Sequence, residues 1–92
     1  MPKTLTIIGG GYIACEFASI FNGLGTKVTL VYRGEMILRG FDYDIRDQVE
    51  RVMRSNGVVI KNNTEIISID KVKDSLKVEL STGEKQFSEQ VL

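Results

Sequence analysis

The spacing of apolar positions changes repeatedly along the chain. Thr4–Ile8 (TLTII) is a short β-branched run that stops at three glycines, the pattern of a buried strand. From Tyr12 onward the period lengthens. Apolar residues at 13, 17, 20, 21 and 24 predict a helix over Tyr12–Asn22, with Gly23 and Gly25 placed to end it. Lys27–Tyr32 (KVTLVY) is a second strand. Strand, glycine turn, helix and strand thus follow within about 30 residues, the size of a βαβ unit.

Gly34–Phe41 is a loop. Asp42 or Asp44 can cap a further helix, roughly Asp44–Ser55, with Ile45, Val49, Val52 and Met53 as its apolar stripe. Asp47–Arg51 and Glu50–Arg54 are (i, i+4) pairs on its wet side, and Asn56-Gly57 closes it. Val58–Lys61 is a third strand. The pattern then turns to strict alternation: Glu65–Val72 and Leu76–Leu80, joined at Lys73–Ser75, then a turn at Ser81–Glu84 and a weak strand Lys85–Phe87. Val91-Leu92 looks like another strand at its start, which makes a chain ending inside a larger fold the expectation. The predicted fold is α/β: a single domain over 1–92, Rossmann-like and three-layered, with a short parallel sheet and an appended antiparallel meander.

Composition narrows the chemistry. The chain has 92 residues, 42% hydrophobic and 26% charged, which suits one small soluble domain with a thin core. Twelve Lys+Arg balance 12 Asp+Glu, so a general nucleic-acid or anionic-membrane surface is not expected. There is no His, hence no His-based acid–base pair, triad or metal site. One Cys excludes an internal disulfide and a CxxC redox pair. The N-terminus is a poor signal peptide and no segment is long enough to span a bilayer, so a reducing, cytoplasmic compartment is the expectation.

Gly9-Gly10-Gly11-Tyr12-Ile13-Ala14 fits G-x-G-x-x-A between a strand and a helix, the context that dinucleotide binding requires. Gly9 permits the tight turn, Gly11 lets a pyrophosphate approach the backbone, and Ala14 lets the helix pack close to the sheet. The free amides and the dipole at the helix start then favour phosphate. At the end of the second strand, where NAD or FAD binders place an acid for the ribose, this chain has Tyr32-Arg33, with Arg39 one loop further on. Losing the acid removes a repulsive charge, and two guanidiniums supply bidentate donors for a 2′-phosphate. Solvated loop arginines, or Glu35 as a ribose acceptor, are the alternatives.

The stretch GGGYIACEFASIFNGLGTKVTLVYRGEMILRGFD closely resembles the NADPH-binding domain of glutathione-reductase-type members of the flavoprotein disulfide reductase family. The similarity runs from about Thr4 to Leu92. It implies that Gly9, Gly11 and Ala14 form the pyrophosphate turn. It likewise implies that Tyr12 covers the nicotinamide pocket, that Ile13 packs nearby, and that Glu16 lies beside the carboxamide. Arg33 and Arg39 would be the 2′-phosphate clamp. A lone acid in ACEFASIF is costly to bury unpaired, so Glu16 either has a functional partner or reaches solvent from the helix. Cys15 reads as a small core residue.

The family's reaction also needs a glycine-rich FAD site, a redox-active cysteine pair and a His–Glu pair from an interface domain. This chain carries none of them. The implied partners are therefore NADP(H) and the remainder of a dimeric, FAD-containing reductase, with a disulfide such as glutathione disulfide as the final acceptor. Rival expectations are the NAD-binding domain of a dihydrolipoamide-dehydrogenase-like enzyme, which Tyr32-Arg33 disfavours, and a stand-alone nucleotide-sensing module, which the meander disfavours.

Overall fold

Alternation along two strands decides the layering. A computed structural model describes Met1–Leu92 throughout. Strands β1 (Thr4–Ile8) and β2 (Lys27–Val31) pair in parallel with Leu5 beside Val28 and Ile7 beside Leu30. These four side chains are at most 2% exposed and face two helices, α1 (Tyr12–Gly23) and α2 (Tyr43–Ser55), through Cys15, Ala18 and Met53. The opposite face carries Thr6, Thr29 and Val31, all buried. It is covered by a second sheet, β4 (Ile66–Val72), β5 (Ser75–Leu80) and β6 (Lys85–Ser88), antiparallel in the order β4-β5-β6.

The result is three layers, helices on parallel sheet on antiparallel sheet, as the sequence pattern predicts. The second interface has a small apolar centre of Val31, Val78 and Leu80. Around it, Thr6 and Ser88 share a buried hydroxyl–hydroxyl hydrogen bond, and the Gln86 amide donates to the Thr29 hydroxyl at 3.0 Å. No buried side-chain nitrogen or oxygen lacks a partner. At the rim Lys61 meets Glu84 at 3.3 Å, and hydrogen bonds from Lys61 and Thr82 hold the exposed Glu84 carboxyl below its ordinary range.

The parallel sheet runs β3-β2-β1-β7, where β3 is Val59–Lys61 and β7 is Gln90–Val91. The C-terminal residues do form a strand: β7 pairs with β1 on the side away from β2. Ile8 donates to the Leu92 carbonyl at 3.0 Å, and Leu92 donates to that of Thr6 at 2.9 Å. The strand order therefore reverses at β1. A crevice at the carboxyl end of such a strand is where open α/β sheets bind ligands.

The helical spacing forms a helix, but four of the five apolar positions at 13, 17, 20, 21 and 24 do not face the core. Ile13, Phe17, Ile20 and Leu24 are exposed, while Cys15 and Ala18 are buried and Ala14 and Phe21 pack beside them. The physical reason is distance: small side chains let the helix axis approach the sheet, which the larger apolar face would prevent. On α2, Met53 and Val49 join the core, but Ile45 and Val52 stay exposed, so the buried face is narrower than the apolar stripe. Its predicted pairs form, Arg51–Asp47 at 2.9 Å and Arg54–Glu50 at 3.2 Å. Asp42 stands at the N-cap without a side-chain capping bond.

Since Thr6 and Ser88 satisfy each other in a buried interface, Thr6→Val leaves a buried hydroxyl unpaired. It is expected to destabilise the chain by about 1–3 kcal/mol. Adding Ser88→Ala should recover part of the loss, a coupling that a double-mutant cycle by urea denaturation measures.

Candidate functional site

The glycine turn sits at the reversal point of the sheet. Gly9 takes φ +121°, a conformation that L side chains rarely adopt, and its amide donates to the Val31 carbonyl at 2.9 Å. This bond ties the turn to the end of β2. Gly11 is the N-cap of α1, with ordinary extended angles and no side-chain capping bond. The first backbone bond of the helix runs from Cys15 to the Gly11 carbonyl at 3.0 Å. The amides of residues 12–14 thus precede the hydrogen-bonded ladder, and no acid occupies the first turn. A Cβ placed on Gly11 would meet nothing within 4 Å. The fold itself does not require glycine there; the open space above the amides suits an anion approaching the backbone. Ala14 closes the other side, its Cβ 3.8 Å from where a Cβ on Gly9 would stand.

Tyr32 organises the next part of the site. Its ring lies between Gly10 and Gly34: a Cβ on Gly10 would come within 2.8 Å of the ring, and one on Gly34 within 2.6 Å. Both close approaches are possible only because these residues lack side chains. The chain then runs into a loop held from three directions. Leu38, in the left-handed region at φ +60°, donates to the Gly10 carbonyl at 2.6 Å. Asn63 donates to Gly34 at 2.9 Å, and Thr64 to Tyr32 at 3.0 Å, while the Asn62 amide group donates to the Glu35 carbonyl at 2.8 Å. From α2, Arg46 donates to the carbonyls of Met36 and Ile37, and Glu50 accepts from the Ile37 amide.

Two clefts open here. One, of about 570 Å³, lies over the ends of β1 and β2 and is lined by Gly9, Tyr32, Arg33 and Thr64 among others. The other, of about 430 Å³, is lined by Tyr32, Arg33, Gly34, Glu35, Arg39 and Arg46. Arg33 and Arg39, distant by a loop in sequence, line the same concavity. Both are exposed, and neither forms an ion pair.

At the other end of the turn, Tyr12 and Ile13 are exposed. Glu16 is exposed too, so the penalty for a buried acid does not arise; the Tyr12 hydroxyl donates to its Oε1 at 3.2 Å. Cys15 is a buried core residue, as expected, with its Sγ 3.7 Å from the Gly10 carbonyl. Burial, with the Glu50 charge adding to it, pushes its thiol up to about 11. The sequence pattern does not mark Gly10, Gly34, Arg46, Glu50 or Asn62 as part of the site. Only the unusual density of glycine beside Tyr32 could have drawn attention to the first two; the others act through contacts far apart in the chain.

Residues 4–85 match the family model of the pyridine nucleotide-disulphide oxidoreductases. The chain belongs to that family. Among curated relatives, a glutathione reductase of Nostoc is 46% identical over 85 residues, covering 92% of this chain and 18% of its own length. A trypanothione reductase of Leishmania donovani is 41% identical over 95 residues, covering 99% and 19%. The HOCl-induced flavoprotein disulfide reductase RclA of Escherichia coli superimposes with a TM-score of 0.91 at 33% identity, covering 99% of this chain and 21% of that one. An engineered water-forming NADPH oxidase bound to NADPH gives 0.92, at 27% identity and with 98% and 20% covered. Its parent, a water-forming NADH oxidase of Lactobacillus brevis, is bound to NADH and gives 0.91 at 25% identity, covering 99% and 20%. The chain spans about a fifth of the length of these relatives.

Gly10→Ala is expected to cost about 1–3 kcal/mol by forcing the Tyr32 ring aside. Combining it with Tyr32→Ala should remove the clash, seen as a smaller added loss in thermal melts. The Cys15 thiol, raised from 9.0 to about 11, should carry roughly a hundredfold less thiolate at pH 8 than an unshifted one. Iodoacetamide should label it quickly only in denaturant. Because the folded state holds this proton more tightly than the unfolded one, stability should fall as pH rises from about 9 toward 11.

Proposed function

We propose that this chain is the NADPH-binding domain of a longer, FAD-dependent disulfide reductase of the glutathione reductase type. The observation that carries the proposal is the pairing of Arg33 and Arg39 around one cleft at the end of β2, with Tyr32 where an acid would otherwise stand. Two unpaired guanidiniums in one concavity recognise a dianionic 2′-phosphate through charge-assisted, bidentate hydrogen bonds. The engineered NADPH oxidase supports this. It differs from its NADH-bound parent by five substitutions. One removes an aspartate, and two introduce arginines, the first directly after it and the second six positions later, the spacing of Arg33 and Arg39.

In this proposal the amides of residues 12–14, approached over Gly9 and Gly11, hold the pyrophosphate, and Ala14 keeps the helix close enough for them to reach it. Tyr12, Ile13 and Glu16 border the nicotinamide end. The Glu16 carboxylate, already accepting from Tyr12, orients a polar amide, while the exposed Tyr12 ring shields the site from water. Bound NADPH supplies a hydride donor there. The chain itself has no dithiol and only one glycine turn, so flavin and the reducible disulfide belong to the rest of such an enzyme. The exposed apolar face of α1, Ile13, Phe17 and Ile20, is where those remaining domains would pack. Glutathione disulfide as the substrate and a homodimeric, cytoplasmic parent enzyme complete the proposal.

Calorimetric titration with 2′,5′-ADP and 5′-AMP tests it. The chain should prefer 2′,5′-ADP by roughly two to four orders of magnitude, given about 1.5–3 kcal/mol for each charged hydrogen bond. Arg33→Ala and Arg39→Ala should each remove much of that preference. Equal affinity for the two nucleotides would refute the assignment.

A further inference from the structure

Arg46 belongs to α2, a different element from the strand end and loop that carry Arg33 and Arg39, yet it lines their cleft. Its side chain is half-buried and committed along one edge. Nε donates to the Ile37 carbonyl at 2.9 Å and Nη2 to the Met36 carbonyl at 2.7 Å. A guanidinium carries five N–H groups in a rigid plane, so these two bonds leave three donors and the full positive charge uncommitted. One helical turn further on, Glu50 accepts from the Ile37 amide at 3.3 Å. The two side chains thus grip one peptide segment from both its polar sides, the carbonyls by Arg46 and the amide by Glu50.

That segment is the middle of the loop carrying Arg33 at its start and Arg39 at its end. Ile37 is fully buried, so the grip is anchored in the core. Leu38, next along, is held in the left-handed region, a conformation that persists in a non-glycine residue only where its surroundings over-determine it. The loop is therefore pre-ordered, and Arg46 is part of what orders it. The cleft it lines holds three cations, Arg33, Arg39 and Arg46, against one carboxylate, Glu35.

We infer that Arg46 is a third determinant of 2′-phosphate selectivity, a positioning residue that sets the separation of Arg33 and Arg39 through the Met36 and Ile37 carbonyls and adds its own charge to their cleft. This rests on the NADPH reading above and extends it to a residue on a different element. Lysine cannot reproduce it, because an ammonium is a point charge without the planar fork that spans two successive carbonyls.

The test measures dissociation constants of the chain for 2′,5′-ADP and 5′-AMP, with Arg46→Met, Arg46→Lys and wild type side by side and a thermal melt of each. The expected result is that Arg46→Met lowers the 2′,5′-ADP to 5′-AMP preference by about 10- to 100-fold while 5′-AMP affinity changes by less than about threefold. Arg46→Lys should recover part of the preference and show a steeper loss with added salt. A parallel fall in both affinities would mean a general structural role and overturn the inference, as would an Arg46→Met variant with the wild-type preference. If Arg46→Met does not fold, Arg46→Lys decides: an undiminished preference removes the two-carbonyl role. Wild type without any preference is a distinct outcome that fails the NADPH reading itself, and the inference with it.

Discussion

Burial of β1 and β2 on both faces is the constraint on which the rest of this fold depends. A strand covered on one side can place polar residues outward; these two cannot. The helix-facing side is filled by Leu5, Ile7, Val28 and Leu30, and the other by Thr6, Thr29 and Val31. Threonine is the compromise residue. Its β-branch suits the strand, its methyl group packs, and its hydroxyl must find a partner, which Ser88 and Gln86 of β6 provide. The meander is therefore a structural cover, and it also carries the chain across to start β7 beside β1. That return creates the strand-order reversal where the glycine turn lies.

From that turn outward, the site is a sequence of close approaches. The Tyr32 ring fits between Gly10 and Gly34, and Leu38 reaches back to the Gly10 carbonyl. The basic loop is thus tied to the same glycine turn that leads into α1. A shift of the loop would move Tyr32, and a shift of Tyr32 would press on the turn. In the proposed function this coupling would suit one extended ligand held at two places, because the spacing between them is fixed before binding and less ordering remains to be done on binding. The tether from α2 through Arg46 and Glu50 extends that rigidity into the helical layer.

Much of this was legible in the residues. The strand–turn–helix–strand succession, the antiparallel meander and even the last short strand follow from local periodicity and turn chemistry, which act over a few residues. G-x-G-x-x-A and the Tyr32-Arg33…Arg39 pattern mark the candidate site for a similar reason: they lie on one continuous stretch of chain. Which face of α1 is buried was not legible. Periodicity finds an apolar stripe, but α1 is apolar nearly all round, and the stripe of larger residues is the exposed one. The exposure of Glu16 follows from the same rotation of the helix.

By itself, the sequence determined the order and type of the elements and the position of the glycine turn between the first strand and the first helix. Only the tertiary structure decided which side chains share a space. It put Arg33, Arg39 and Arg46 around one cleft, slid the Tyr32 ring between two glycines, and turned the small face of α1 to the sheet. The physical reason is that such contacts depend on how closely layers can pack. That distance is set by side chains far apart in the chain, and no local pattern encodes it.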